Sequence, residues 1–164
     1  MYSIGMKISY QATGVCEIVD IINQKFAHTE TRTYYVLKPI YDNSSTTIYC
    51  PVDTAENKLR PIPEADEIKE LIKKASTCDD LWIENDNERK KAFSDIIKSG
   101  NPQLIYSLIF LLYKKKSQKE SEGKKMHLAD EKILYEAQKT TSQEIAFSMG
   151  IEIDAVEDFV KGLL

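Results

Sequence analysis

Length, composition and charge limit the classes of protein to which this chain can belong. It has 164 residues, of which 42% are hydrophobic and 29% are charged, a composition typical of one or two folded domains. Lysine and arginine number 22 against 26 acidic residues, so the formal net charge is −4. Because tight DNA binding requires concentrated positive charge, this balance argues against a protein that holds nucleic acid by itself.

Positive charge is nevertheless concentrated in one segment. Residues 114–125 contain six lysines and two glutamates, a net charge of +4, so the rest of the chain carries −8. The segment follows the apolar part of a predicted helix, where lysines either stabilise the negative end of the helix dipole or contact phosphates. Both interpretations stay open.

The first 60 residues have the pattern of a small β domain. Runs rich in β-branched and aromatic residues, separated by turn-forming residues, predict strands at 7–10, 14–22, 33–38 and 46–50. Pro51 ends a strand or begins an edge strand, because it cannot donate a ladder hydrogen bond. Strands this short, spaced about ten residues apart, favour a five-stranded barrel of the SH3 or Tudor type.

After the linker Pro61-Ile62-Pro63 the pattern becomes helical. Capping residues and apolar periodicity predict helices from Pro63 or Glu64 to Ala75, from Asp80 or Asn85 to Lys98, from Asn101 into the lysine-rich segment, from Leu128 to Met149, and a short last helix capped by Asp154. The predicted fold class is therefore α+β: a small SH3/Tudor-like β-barrel at residues 1–60, followed by an all-α helical domain at residues 61–164.

Catalytic and metal-binding motifs are absent from the sequence. The chain has three cysteines without a CxxC pair, two histidines and only six glycines, so neither a zinc cluster nor a phosphate-binding loop is expected. The longest apolar run, residues 104–113, is too short to cross a bilayer, and no secretory signal begins the chain. We expect a cytoplasmic protein that is not an enzyme, with no cofactor, metal or small-molecule substrate.

Trp82 is the one tryptophan, and it lies between two predicted helices in polar and acidic surroundings. One interpretation is that it fills core space. The other is that it is exposed and wedges against nucleic acid, as apolar side chains do when they open a base step from the minor groove.

Several segments, taken in order, resemble the CarD family (CarD/CdnL transcription regulators). The resemblance is carried by Tyr2 to Ile18, Tyr34-Tyr35-Val36-Leu37-Lys38, Cys50-Pro51-Val52, Leu59-Arg60, Trp82, Ser99-Gly100-Asn101, and Leu128-Ala129-Asp130-Glu131-Lys132-Ile133-Leu134 followed by Ala137. It implies a Tudor-like domain that binds the β subunit of bacterial RNA polymerase. It also implies a helical domain that contacts promoter DNA at the upstream edge of the melted bubble and stabilises the open complex.

The resemblance also implies site residues. For RNA polymerase binding these are Gln24, Lys25, Thr47, Ile48 and Tyr49. For DNA binding in the minor groove they are Trp82 as the wedge, and Arg89, Lys90, Lys124, Lys125 and Lys132 as basic contacts. The acidic segment 84–88 separates the wedge from its first basic neighbours, so the DNA footprint is expected to differ from that of other members.

The expected partners are therefore RNA polymerase and promoter DNA. We expect the protein alone to bind DNA weakly, and we expect polymerase to bring it to the nucleoid. The alternative is a protein–protein interaction module of the same fold with no direct DNA contact, in which Trp82 is buried and the lysines are solvated. An open edge strand, which accepts a strand from another chain, is compatible with both.

Overall fold

Short strands in the first part of the chain pair into one antiparallel sheet. The computed structural model describes residues 1–11, 13–43, 45–77 and 81–163. The strands are β1 (Lys7–Tyr10), β2 (Gly14–Gln24), β3 (Arg32–Pro39), β4 (Ile48–Pro51) and β5 (Leu59–Arg60), with a 3₁₀ turn at Val52–Asn57. Their order in the sheet is β4-β3-β2-β1-β5.

The sheet encloses a core on one face, because side chains alternate along each strand. On this face Ile8, Ile18, Tyr35, Leu37 and Cys50 pack together and are almost inaccessible to solvent. The register of β2 against β3 shifts between Ile18 and Asp20, and such a bulge bends a strand. Among the described residues β4 and β5 do not pair with each other, so closure of the predicted barrel is not observed.

Five α-helices follow the sheet within the described residues. They are α1 (Ala65–Ala75), α2 (Asp86–Ser99), α3 (Pro102–Ser121), α4 (Leu128–Met149) and α5 (Val156–Gly162), with a 3₁₀ turn at Ile153–Ala155 before the last. The sheet followed by helices confirms the predicted α+β class. The chain divides into two compact units, Met1–Ile62 and Pro63–Leu164.

Local signals set most helix ends. Asn101 caps α3 by accepting a hydrogen bond from the Leu104 amide, and Pro102 occupies the first helical position. Gly100 and Gly150 end α2 and α4 with left-handed backbone, φ 64° in each. The predicted cap by Asp154 is wrong, because Ala155 is the capping residue of α5 and makes no side-chain hydrogen bond.

The core of the helical unit centres on α3. Residues 105–112 of this helix are all buried, as its nearly continuous apolar surface predicts. The aliphatic ones among them pack in one cluster with Phe93 of α2, Met126 and the Ile133, Leu134 and Ala137 side chains of α4. Helix α2 begins at Asp86, after the N-cap Asn85. The other predicted start, Asp80, lies outside the described residues.

The buried thiols of the sheet give a test of its packing. Cys16 and Cys50 are free cysteines with at most 1% exposure, and burial raises the pKa of Cys16 to about 11. Since only the thiolate is nucleophilic, a raised pKa leaves little of the Cys16 thiol reactive at pH 8. We expect iodoacetamide to alkylate Cys16 far more slowly in the folded protein than in denaturant, as measured by peptide mass spectrometry. Equal rates in the two states would contradict this packing.

Candidate functional site

Strand β4 forms an open edge of the sheet, and the residues predicted to bind polymerase lie beside it. It pairs with β3 on one side, and no other strand of the described residues pairs with it on the other. Thr47 is exposed just before the strand, Ile48 begins it, and Tyr49 is 46% exposed. Gln24 ends β2 opposite Arg32, and the exposed Lys25 follows it in the loop. The predicted residues therefore occupy two neighbouring places on this sheet, the edge strand and the loop joining β2 to β3.

An aromatic cluster, formed by Phe26, Tyr34 and Tyr49, connects these two places. The Phe26 ring centroid lies 5.0 Å from that of Tyr34 and 5.2 Å from that of Tyr49. Tyr49 pairs with Val36 and so shares a face with Tyr34, two residues along β3. Phe26 is 37% exposed and Tyr34 is 8% exposed. Tyr34 is therefore the buried member of the cluster, and the rings of Phe26 and Tyr49 are accessible to a partner.

Sequence reasoning missed Phe26. A large aromatic residue in a polar turn between two strands, after Lys25 and before Ala27, was the available signal.

Together the open edge and the cluster provide what strand addition requires. Backbone groups of β4 that have no strand partner within the described ranges could supply hydrogen bonds, and exposed rings could supply apolar contact for alternate side chains of an added strand.

Trp82 lies at the margin of the helical core and is half-buried. It packs against the core cluster, with its ring centroid 6.3 Å from that of Phe93. Two cations lie over the indole: the guanidinium carbon of Arg89 is 4.4 Å from the ring centroid, and the Lys115 ammonium is 4.5 Å from it. Trp82 is therefore neither a fully buried core residue nor a freely exposed one.

Arg89 is 4% exposed and uses all five of its N–H donors within the protein. Its Nε and Nη2 donate to the two carboxylate oxygens of Asp130, at 3.1 and 2.9 Å. Nη2 also donates to Asp86 at 2.7 Å. Nη1 donates to the carbonyls of Ile83 and Glu84, at 2.8 and 3.2 Å. The predicted DNA contact at this residue stays untested, but every donor that would reach a phosphate is already engaged.

Helix termini bring these groups together. The Asn85 side chain accepts hydrogen bonds from the Asn87 and Glu88 amides and so caps the start of α2. Arg89 is the fourth residue of that helix. Asp130 lies in the first turn of α4, where the helix dipole favours a carboxylate, and it is 3% exposed. The hydrogen bond to Asp130 outweighs the opposing effect of burial and raises the pKa of Arg89 above its ordinary value.

The predicted lysines are exposed but are not gathered at the indole. Lys90 follows Arg89 on α2, Lys124 and Lys125 lie in the loop before α4, and Lys132 lies on α4. Lys124 pairs with Glu122 at 3.1 Å. Lys132 points away from Arg89, because residues two apart on a helix, such as 130 and 132, face nearly opposite directions.

The ammonium that lies over the indole belongs instead to Lys115 of α3, within the lysine-rich segment. This segment was recognised from composition, but which of its lysines approaches Trp82 depends on how α3 packs beside the loop that precedes α2. The candidate DNA-contacting residues of the helical unit are thus Trp82 with Lys115 over its ring, together with the exposed Lys90, Lys124, Lys125 and Lys132.

No cluster of three or more histidine, cysteine, aspartate or glutamate side chains suited to a metal ion occurs in the part of the chain that the structure describes. None of its described helices has the length and apolarity needed to cross a membrane.

Comparison with known proteins assigns the N-terminal unit. The family model described as the CarD-like/TRCF RID domain matches residues 2–63, and no curated protein matches the chain. This match confirms the resemblance predicted from the sequence, and it covers the strands that carry the open edge and the aromatic cluster. The RID family consists of non-enzymatic protein-interaction domains that bind RNA polymerase, which indicates a role in transcription. Residues 2–63 of this chain are therefore similar to the CarD-like/TRCF RID domain, and the match ends before helix α1.

Proposed function

We propose that this protein is a bacterial transcription regulator that binds the β subunit of RNA polymerase and stabilises the promoter open complex. Its helical unit contacts DNA at the upstream edge of the bubble, and the protein acts in the cytoplasm at the nucleoid, where polymerase is. The observation that carries the proposal is the match of residues 2–63 to a polymerase-interacting domain. A protein delivered by polymerase needs no catalytic group.

The open edge of β4 is the proposed docking site for the β subunit. A strand added there would form backbone hydrogen bonds, and its side chains would meet Phe26 and Tyr49. The exposed fractions of these two rings, 37% and 46%, support a contact that buries them. Aromatic residues that are exposed beside an open edge are costly in isolation, and a partner removes that cost.

Trp82 is the proposed DNA wedge, and Lys115 beside it is the proposed nearest phosphate contact, in place of Arg89. A half-buried indole has part of its surface available for a base step, while its packed part resists displacement. The net charge of −4 fits this role, because a tethered protein reaches DNA at an effective concentration of about millimolar and needs little affinity of its own.

A second candidate function is a protein-interaction module that binds polymerase without touching DNA. The packing of Trp82 against the helical core favours it, because a core-packed indole needs no ligand to explain it. The two candidates share the RID domain and differ only in the role of the helical unit.

Tyr49→Glu should abolish co-elution with core RNA polymerase. The substitution places a charge within the aromatic cluster and beside the open edge, where an added strand would bury it. Tyr135→Glu is the matched control, because Tyr135 is 72% exposed on α4 of the other unit. Full binding by Tyr49→Glu, with an unchanged circular dichroism spectrum, would refute docking at β4.

Trp82→Ala should leave polymerase binding intact and shorten the lifetime of the open complex. Loss of a base–aromatic contact is worth about 1–3 kcal/mol, so the lifetime should fall by about fivefold to 150-fold. Trp82→Phe, which keeps a ring, should retain part of the effect, and a melting curve verifies that both variants fold. Unchanged lifetimes for Trp82→Ala on several promoters would instead support the module without DNA contact.

A further inference from the structure

Arg89 contacts both the backbone beside Trp82 and the indole ring. Through Nη1, Arg89 donates to the carbonyl oxygens of Ile83 and Glu84, the two residues that follow Trp82. Its guanidinium also lies over the indole itself, 4.4 Å from the ring centroid. A single group therefore restrains both the backbone beside the tryptophan and the ring.

The restraining group is itself fixed. The bidentate contact with Asp130 joins α2 to α4 across 41 residues of sequence, and both side chains are at most 5% exposed. A planar fork bound through two parallel hydrogen bonds has a defined orientation, which a single ammonium contact would not provide. The orientation of the guanidinium plane over the indole is thus set by the start of α4.

We propose that Arg89, oriented by Asp130, is the positioning residue that holds Trp82 ready for its contact with DNA. This inference rests on the proposed function for the DNA contact, while the restraint on the ring belongs to the free protein. A wedge that is ordered before it binds loses less conformational entropy on insertion than a mobile one, so the gain appears as a longer-lived complex.

Charge supports a positioning role over direct contact. All five donors of Arg89 are used internally, and Asp86 and Asp130 both face the guanidinium. A phosphate approaching this site would meet two carboxylates and would have to displace hydrogen bonds that are already made. Arg89 therefore acts on DNA through Trp82.

The single tryptophan makes the test direct, because all indole fluorescence reports on Trp82. Arg89→Lys keeps the charge but loses the fork. We expect it to raise acrylamide quenching and to lower the fluorescence anisotropy of Trp82 in the free protein. With polymerase on a promoter, we expect it to shorten the open-complex lifetime toward that of Trp82→Ala, and the double variant Arg89→Lys with Trp82→Ala to show no additional loss.

Arg89→Lys leaves Asp130 poorly paired and could therefore prevent folding. A second variant keeps the proposal testable in that case. Arg89→Met combined with Asp130→Leu replaces the buried pair by apolar groups, an exchange that buried ion pairs often tolerate. It should fold and should show the same mobile indole. Asp86→Asn is the control, because the Asp86 side chain is 63% exposed and its removal leaves the contact with Asp130 in place. It should change neither fluorescence measurement.

The outcomes separate the positioning role from the proposed function. A folded Arg89→Met, Asp130→Leu variant with unchanged quenching and anisotropy would overturn the positioning role. A mobile indole with an unchanged open-complex lifetime would also overturn it, provided that Trp82→Ala shortens that lifetime. If Trp82→Ala has no effect on the lifetime, the proposed DNA contact of Trp82 is refuted. The inference that Arg89 serves this contact is then refuted as well. The fluorescence measurements would still show whether Arg89 restrains the indole.

Discussion

The bidentate contact between Arg89 and Asp130 is the constraint on which the candidate surface of the helical unit depends. Removing a charge from water is costly, and the cost is offset only when the partner charge and the remaining hydrogen bonds are all in place. Here the two carboxylates and two backbone carbonyls complete the set. The start of α2, the start of α4 and the loop beside Trp82 therefore form together, because separating any of them exposes or orphans a buried charge.

The N-terminal unit differs, since its candidate surface includes backbone groups of β4 that have no strand partner among the described residues. Open edges promote unwanted association, and proteins limit them by shortness, charge or proline. Strand β4 has only four residues and ends at Pro51, which cannot extend the ladder. A short edge flanked by exposed aromatic rings offers enough hydrogen bonds for one added strand. It is too short to favour edge-to-edge aggregation of many chains.

Sequence patterns predicted the elements well and the contacts between distant elements poorly. The start of α3 at Pro102 and both ends of α4 follow from caps and periodicity, which are properties of neighbouring residues. The burial of Arg89 depends on Asp130, 41 residues away, whereas the resemblance implied a basic contact with DNA at this position. Phe26 likewise becomes part of a site only because the strand register brings Tyr49 beside it. Local chemistry specifies where a helix begins, whereas packing decides which charge lies inside.

The burial of Arg89 also changes what the net charge means. A basic side chain neutralised by two carboxylates adds nothing to the attraction of DNA, so the charge available to phosphates is smaller than the sequence count suggests. On the proposed function, the aromatic contact of Trp82 must then contribute more of the binding free energy than phosphate contacts do. Aromatic contacts are less sensitive to salt than ion pairs. Open complexes stabilised in this way should keep much of their added lifetime as salt rises, as long as polymerase itself stays bound.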